Sequence, residues 1–83
     1  MEYIVREVIH MEELQKRLQE LRKEKGITQK AAAVDLNVSR ETISGYETKG
    51  REPDINMLMR LANYYNVTID YLVGRADERT NEK

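Results

Sequence analysis

Cysteine is absent from the chain and histidine occurs once, at His10. Without thiols there is no disulfide framework and no thiolate metal site. A zinc site built on a single imidazole would need three carboxylates around it, an unusual ligand set. No apolar run approaches the ~18 residues of a membrane span. No charged-then-apolar leader opens the chain, so the expected location is the cytoplasm. There is no phosphate-binding glycine loop, no nucleophile–base pair at plausible spacing and no ligand cluster. Neither an enzyme nor a cofactor is therefore expected. Charge of one sign is lacking too: 14 basic residues face 15 acidic ones, for a net charge of −1. Dedicated nucleic-acid binders often have a pI above ~9. Any claim on DNA must come from the arrangement of residues rather than from bulk charge.

What remains is a short, charged, apolar-patterned chain. Its 83 residues suffice for one small domain and not for two. A content of 40% hydrophobic and 35% charged residues suits a soluble, mostly helical domain better than a disordered segment. The only regional positive excess lies at residues 13–26, where Lys16, Arg17, Arg22, Lys23 and Lys25 outnumber Glu13, Glu20 and Glu24. Residues 27–53 are balanced.

Start and stop signals divide the chain into five helices. The first runs from about Met11 to Lys25, with Leu14, Leu18 and Leu21 on one face, and Gly26 ends it. Thr28 caps a second helix, Gln29 to Leu36, whose Ala31, Ala32 and Ala33 let another helix approach closely. Asn37 ends that helix in a left-handed turn. Ser39 caps a third, Arg40 to about Thr48. Gly50 and Pro53 mark a loop. Asp54 caps a fourth, Ile55 to Tyr65, and Thr68 a fifth, Ile69 to Val73. Leu18, Leu21, Leu36, Val38, Ile43, Leu58, Leu61, Val67, Ile69 and Leu72 are core by periodicity.

The ends divide differently. Tyr3, Ile4, Val5, Val8 and Ile9 favour a strand by propensity. Ile4, Met11 and Leu18 equally fit a seven-residue spacing that would extend the first helix backward. Residues 1–10 read as an appended extension and 11–74 as the domain. Residues 75–83 are charged, lack core residues and read as a flexible tail.

The stretch TQKAAAVDLNVSRETISGYET, residues 28–48, carries the functional information. Two short helices are joined by Asn37-Val38-Ser39 alone. So short a turn forces a large crossing angle, the helix-turn-helix geometry. The N-terminal half of the third helix then protrudes at a width that fits a DNA major groove. RLQELRKEKGITQ at 17–29, LNVSRETIS at 36–44, YETKGREPD at 46–54 and LANYYNVTIDYLVG at 61–74 complete the pattern. Together they resemble the Cro/CI-type, or Xre, family of helix-turn-helix repressors over residues 14–74. The resemblance implies an all-α, compact, five-helix domain of the lambda-repressor type.

Residue roles follow from that resemblance and from geometry together. Gln29 opens the second helix, where the family commonly uses Gln and adjacent backbone N–H groups to hold a phosphate. Arg40 is placed to fork onto guanine, and Thr42 to meet a thymine methyl or a phosphate. Ser44 and Gly45 complete the exposed face. Lys30, Lys49 and Arg51 suit backbone phosphates. Thr28 and Ser39 act as caps beside the DNA. Glu41 complements the helix dipole or accepts from a cytosine amine. Gly45 stands where the family often carries a long polar side chain, so one possible base contact is missing. Arg22 and Glu47 match positions that often form an internal ion pair in the family.

Two function classes follow. The leading one is sequence-specific binding of double-stranded DNA by a homodimeric regulator, a repressor, on a roughly palindromic operator. Tyr64, Tyr71 and Val73, at the end of the fourth helix and in the fifth, are the expected dimer interface, and paired N-terminal strands are a possible addition. With no ligand-binding domain after residue 74, small-molecule sensing is not expected within the chain. The alternative is a protein-interaction module of the same fold, such as an antitoxin or a partner-binding subunit. Glu41, Gly45 and the charge balance of residues 27–53 favour it.

Overall fold

A computed structural model describes residues 2–80, with side-chain packing from Met11 to Thr80. Among the described residues there are five helices and no strand: α1 (Glu2–Lys25), α2 (Gln29–Leu36), α3 (Arg40–Thr48), α4 (Ile55–Tyr65) and α5 (Ile69–Leu72). Each of α2 to α5 begins where a short polar side chain takes up an orphan backbone donor. Thr28 Oγ1 accepts from the Ala31 amide at 3.0 Å, and Ser39 Oγ from the Thr42 amide at 3.0 Å. Asp54 Oδ1 accepts from Met57 at 2.8 Å, and Thr68 Oγ1 from Tyr71 at 3.0 Å.

The first boundary differs from the sequence reading. Met11 is not a helix start, because α1 runs back without a break to Glu2. The strand alternative for Tyr3 to Ile9 fails for a physical reason. An isolated strand has no ladder to join, whereas extending an existing helix adds a hydrogen bond per residue without a new nucleation cost. The β-branched residues oppose this by only a few tenths of a kcal/mol each. Strand pairing across a dimer is thereby removed.

Between α2 and α3 the chain turns through Asn37, at φ 58° and ψ 46°. The Asn37 amide donates to the Val34 carbonyl at 3.2 Å and the Val38 amide to Ala33 at 3.0 Å, closing the end of α2. Ala32 and Ala33, 0% and 3% exposed, let α2 lie close to its neighbours. α3 packs on α2 and α1, and α5 on α1 and α4. Leu14, Leu18, Leu21, Leu36, Ile43, Met57, Leu61 and Leu72 fill the space between them. Val38, Leu58, Val67 and Ile69 pack against this cluster from its margin, half-buried. Arg60 closes another margin by donating to the Leu36 carbonyl.

The C-terminal segment also departs from the expectation of a free tail. Residues 75–80 fold back over α1 and α5. The Thr68 amide donates to the Arg79 carbonyl at 2.8 Å, and Arg17 donates to the carbonyls of Tyr71 and Ala76. Arg79 forks onto Glu24, with both N–O distances at 2.8 Å. The part of the expected tail at 81–83, and Met1, lie outside the described residues.

Candidate nucleic-acid interface

The inner face of α3 is locked and its outer face is presented. Ile43, Tyr46 and Glu47 are buried, at 3%, 7% and 2% exposure. At 100° per residue these three define the side facing the core. Glu41, Gly45 and Thr48 fall on the opposite side with Ser44 at its edge, whereas Arg40 shares the phase of Ile43 and Glu47 but stands in the exposed first turn. Arg40, Glu41 and Thr48 are exposed, and Thr42 and Ser44 are half-buried. Ser39 and Thr42 share a hydroxyl hydrogen bond of 2.8 Å, so the cap holds the first turn by a side-chain contact as well as a backbone one. Thr48 Oγ1 donates to the Ser44 carbonyl at 2.7 Å.

Gly45 is the exception on the outer face. It is buried, not exposed as its helical phase implied. The Arg51 side chain crosses α3 there and covers it. A Cβ placed on Gly45 would lie 3.2 Å from Arg51 Cδ and 3.4 Å from Arg51 Cβ. The Arg51 guanidinium stands 5.8 Å from the centre of the Tyr46 ring.

Glu47 is the anchor beneath this surface. Arg22 Nε lies 2.8 Å from Glu47 Oε2, and Arg22 Nη1 donates to the Ile27 carbonyl at 2.8 Å. The Gln29 amide donates to Glu47 Oε1 at 3.1 Å, and the Gln19 amide to the Glu47 carbonyl at 2.6 Å. One carboxylate thus joins α1, the N-terminus of α2 and the end of α3. This corrects the expectation for Gln29: its amide is turned inward to Glu47. Thr28, Lys30, Lys49 and Arg51 are exposed on the same stretch of chain. A buried carboxylate is costly unless paired and hydrogen-bonded, and Glu47 has both. Its negative charge, with burial, pushes the Tyr65 hydroxyl well above the ordinary phenol range, burial being the larger cause.

A helix-turn-helix family model matches residues 18–72, which include the whole of α2, the turn and α3. The chain belongs to the Cro/CI-type helix-turn-helix family. It is 48% identical over 62 residues to the HTH-type transcriptional regulator ImmR of Bacillus subtilis (strain 168), covering 75% of this chain and 49% of that protein. The HTH-type transcriptional regulator AnsR of the same organism is 36% identical over 63 residues, 76% of this chain and 54% of its own length. The HTH-type transcriptional activator BcrR of Enterococcus faecalis is 38% identical over 62 residues, 75% of this chain and 30% of its own. The chain spans about half the length of the first two of these relatives. No helix among the described residues is long and apolar enough to cross a membrane. Nor is there a group of three or more metal-ligating side chains among them.

In this family member the three tyrosine and valine positions expected at a dimer interface separate. Tyr64 is half-buried, stacked edge-on to Tyr65 at 4.8 Å, and its hydroxyl donates to Asp35 Oδ2 at 2.6 Å. Burial and that hydrogen bond to a carboxylate push its pKa up to about 12. Val73 is half-buried. Tyr71 does not belong to an outer surface: it is 7% exposed, with the Arg17 guanidinium 4.1 Å from its ring centre and Arg79 at 5.5 Å. Periodicity placed Tyr71 on α5 but had no means of showing that the tail folds over it. Gln19, Arg17, Arg60 and Arg79 were likewise missed, because each acts on a partner distant in sequence.

Proposed function

We propose that this domain binds double-stranded DNA sequence-specifically, as a homodimeric transcriptional regulator that inserts α3 into the major groove. The observation that carries this is the division of α3: its inner face is fixed by Ile43, Tyr46 and the paired Glu47, while its N-terminal turn stands exposed. A rigid helix capped at Ser39 offers Arg40 to a guanine edge and Thr42 and Ser44 to neighbouring bases or phosphates. Glu41 complements the helix N-terminus. Thr28, Lys30 and Lys49 flank the groove and suit phosphates. Gln29 contributes through its backbone N–H and its second amide hydrogen, the first being held by Glu47.

A single helix reads few base pairs, so affinity calls for two copies on a roughly palindromic operator with half-sites about 34 Å apart. The end of α4 and α5, with Tyr64 and Val73, is the proposed contact between copies. Repression is the simplest output, because a dimer seated on an operator obstructs other proteins by occupancy alone. A second reading has specific support. One Gln29 amide hydrogen is held by Glu47 and Gly45 carries no side chain, so one expected DNA contact is reduced and another is missing, which favours a protein-binding module of the same fold.

Selection of bound duplexes from random DNA, paired with sedimentation of the free protein, tests both. Enrichment of an inverted repeat by a dimeric species is expected. No enriched sequence, together with a stable complex with another protein, would transfer the assignment to the second reading.

A further inference from the structure

Gly45 lies on the outer face of α3 by helical phase, beside Glu41 and Ser44, and yet it is buried. The three nearest atoms that a Cβ there would meet all belong to the Arg51 side chain: Cδ at 3.2 Å, Cβ at 3.4 Å and Cγ at 3.9 Å. The Arg51 amide also donates to the Gly45 carbonyl at 3.1 Å, as does that of Lys49. The loop after α3 is therefore stitched to the helix at this residue twice, once by backbone and once by packing. Arg51 lays its methylene stem in the space that any other residue at 45 would fill. Its charged end stays solvent-exposed beside Tyr46, whose ring face attracts a guanidinium.

We propose that Gly45 is a positioning residue for Arg51: its missing side chain forms a slot that holds Arg51 across the recognition helix as a fixed phosphate contact. Arg51 comes from the loop, but the slot gives it the place of a helix side chain. A long side chain on a mobile loop loses rotamer freedom when it engages a phosphate, whereas one already packed along its stem has lost much of it beforehand. The glycine that removes one contact from α3 thereby supplies another. A phosphate is the target because the C-terminal half of such a helix lies away from the base edges that its N-terminal residues reach.

The inference rests on the DNA-binding reading above, and the test separates the two. Arg51→Ala, Gly45→Val and the double variant are titrated, by fluorescence anisotropy, onto the selected operator and an unrelated duplex across a salt series. Releasing one phosphate contact flattens the slope of log K against log salt by about 0.9, or about eightfold in affinity near 0.1 M salt. Each single variant is expected to show that loss on both duplexes, and the double variant to show no more than either. Gly45→Ala, whose methyl requires Arg51 to give by only a few tenths of an ångström, should fall between wild type and Gly45→Val. It carries the test if the valine variant does not fold. An unchanged affinity and slope in Gly45→Ala and Gly45→Val, effects that multiply in the double variant, or a loss confined to the operator would each overturn the proposal. In the free protein, cross-relaxation between the Gly45 α-protons and the Arg51 δ-protons reports the slot without DNA. Its absence sinks the positioning role alone. Its presence with no wild-type binding to either duplex sinks the DNA reading, and the phosphate role with it.

Discussion

Replacing Arg22 by methionine keeps the aliphatic bulk of the side chain and removes its charge. In the wild type the Glu47 carboxylate is 2% exposed and held by Arg22 at 2.8 Å and Gln29 at 3.1 Å. In Arg22→Met only the neutral amide remains, and the Ile27 carbonyl loses its donor as well. Stripping one partner from a buried pair costs about 3–5 kcal/mol, because the other charge is left behind in a poorly solvating site. The whole domain has only about 5–15 kcal/mol to lose. For a domain of this length each kcal/mol moves the melting temperature by roughly 4–8 °C, so a fall of at least ~12 °C is expected. Glu47→Leu combined with Arg22→Met removes the orphaned charge and leaves an apolar pair, so the double variant should regain much of the loss. Urea denaturation followed by helical circular dichroism, run on both singles and the double, measures this directly. A loss under ~1 kcal/mol in Arg22→Met, or simple additivity in the double, would mean that the pair does not hold α1 and α3 together as described.

The remaining predictions concern binding and titration. Arg40 is exposed and, among the described residues, its side chain makes no hydrogen bond or ion pair, so Arg40→Ala should leave urea stability within about 0.5 kcal/mol while weakening operator binding by about 1–3 kcal/mol. Unchanged affinity in a gel-shift titration would remove it from the reading surface. The Arg79 fork holds the Glu24 carboxyl below its ordinary range, so the fork's contribution is present above the unfolded carboxylate value and is lost as pH falls through the lowered one. The protection factor of the Thr68 amide, which donates to the Arg79 carbonyl, should therefore fall in that acidic window in the wild type and be low throughout in Arg79→Ala. Equal protection in both proteins would detach the tail from the fold. Tyr64 should ionise at about pH 12, and stability should decline as pH rises from the ordinary phenol value toward that point. Asp35→Asn should bring the Tyr64 midpoint part of the way back, with burial keeping the rest, in a spectrophotometric phenolate titration.

Local chemistry made much of this domain legible before any coordinates. Thr28, Ser39, Asp54 and Thr68 each stand one residue ahead of a helix, and Asn37 and Asn66 end two helices at φ 58°. Caps and left-handed ends depend on the chemistry of a few adjacent residues, so they can be read in sequence order. The turn between α2 and α3 is short enough that its residues alone set the crossing of the two helices. Glu41 and Thr48 on the exposed side of α3, and Ile43 beneath it, follow from a period of 3.6 residues; Arg40 shares the phase of Ile43 and is exposed because it opens the helix.

Tertiary structure alone decided the features that depend on residues far apart. Phase placed Gly45 outward, but only the return of the loop shows Arg51 lying over it. Gln29 looked free for DNA until Glu47, eighteen positions on, was seen to bind its amide. Tyr71 passed for surface until Arg17 and Arg79 closed over its ring, and the tail that carries Arg79 has no apolar pattern to announce that it docks. Ion-pair forks and cation–ring contacts need only one charge to meet one partner, so they leave no periodic trace. Helix phase and capping are written along the chain because they repeat or act between neighbours; which charge finds which partner is set by the path of the backbone in space.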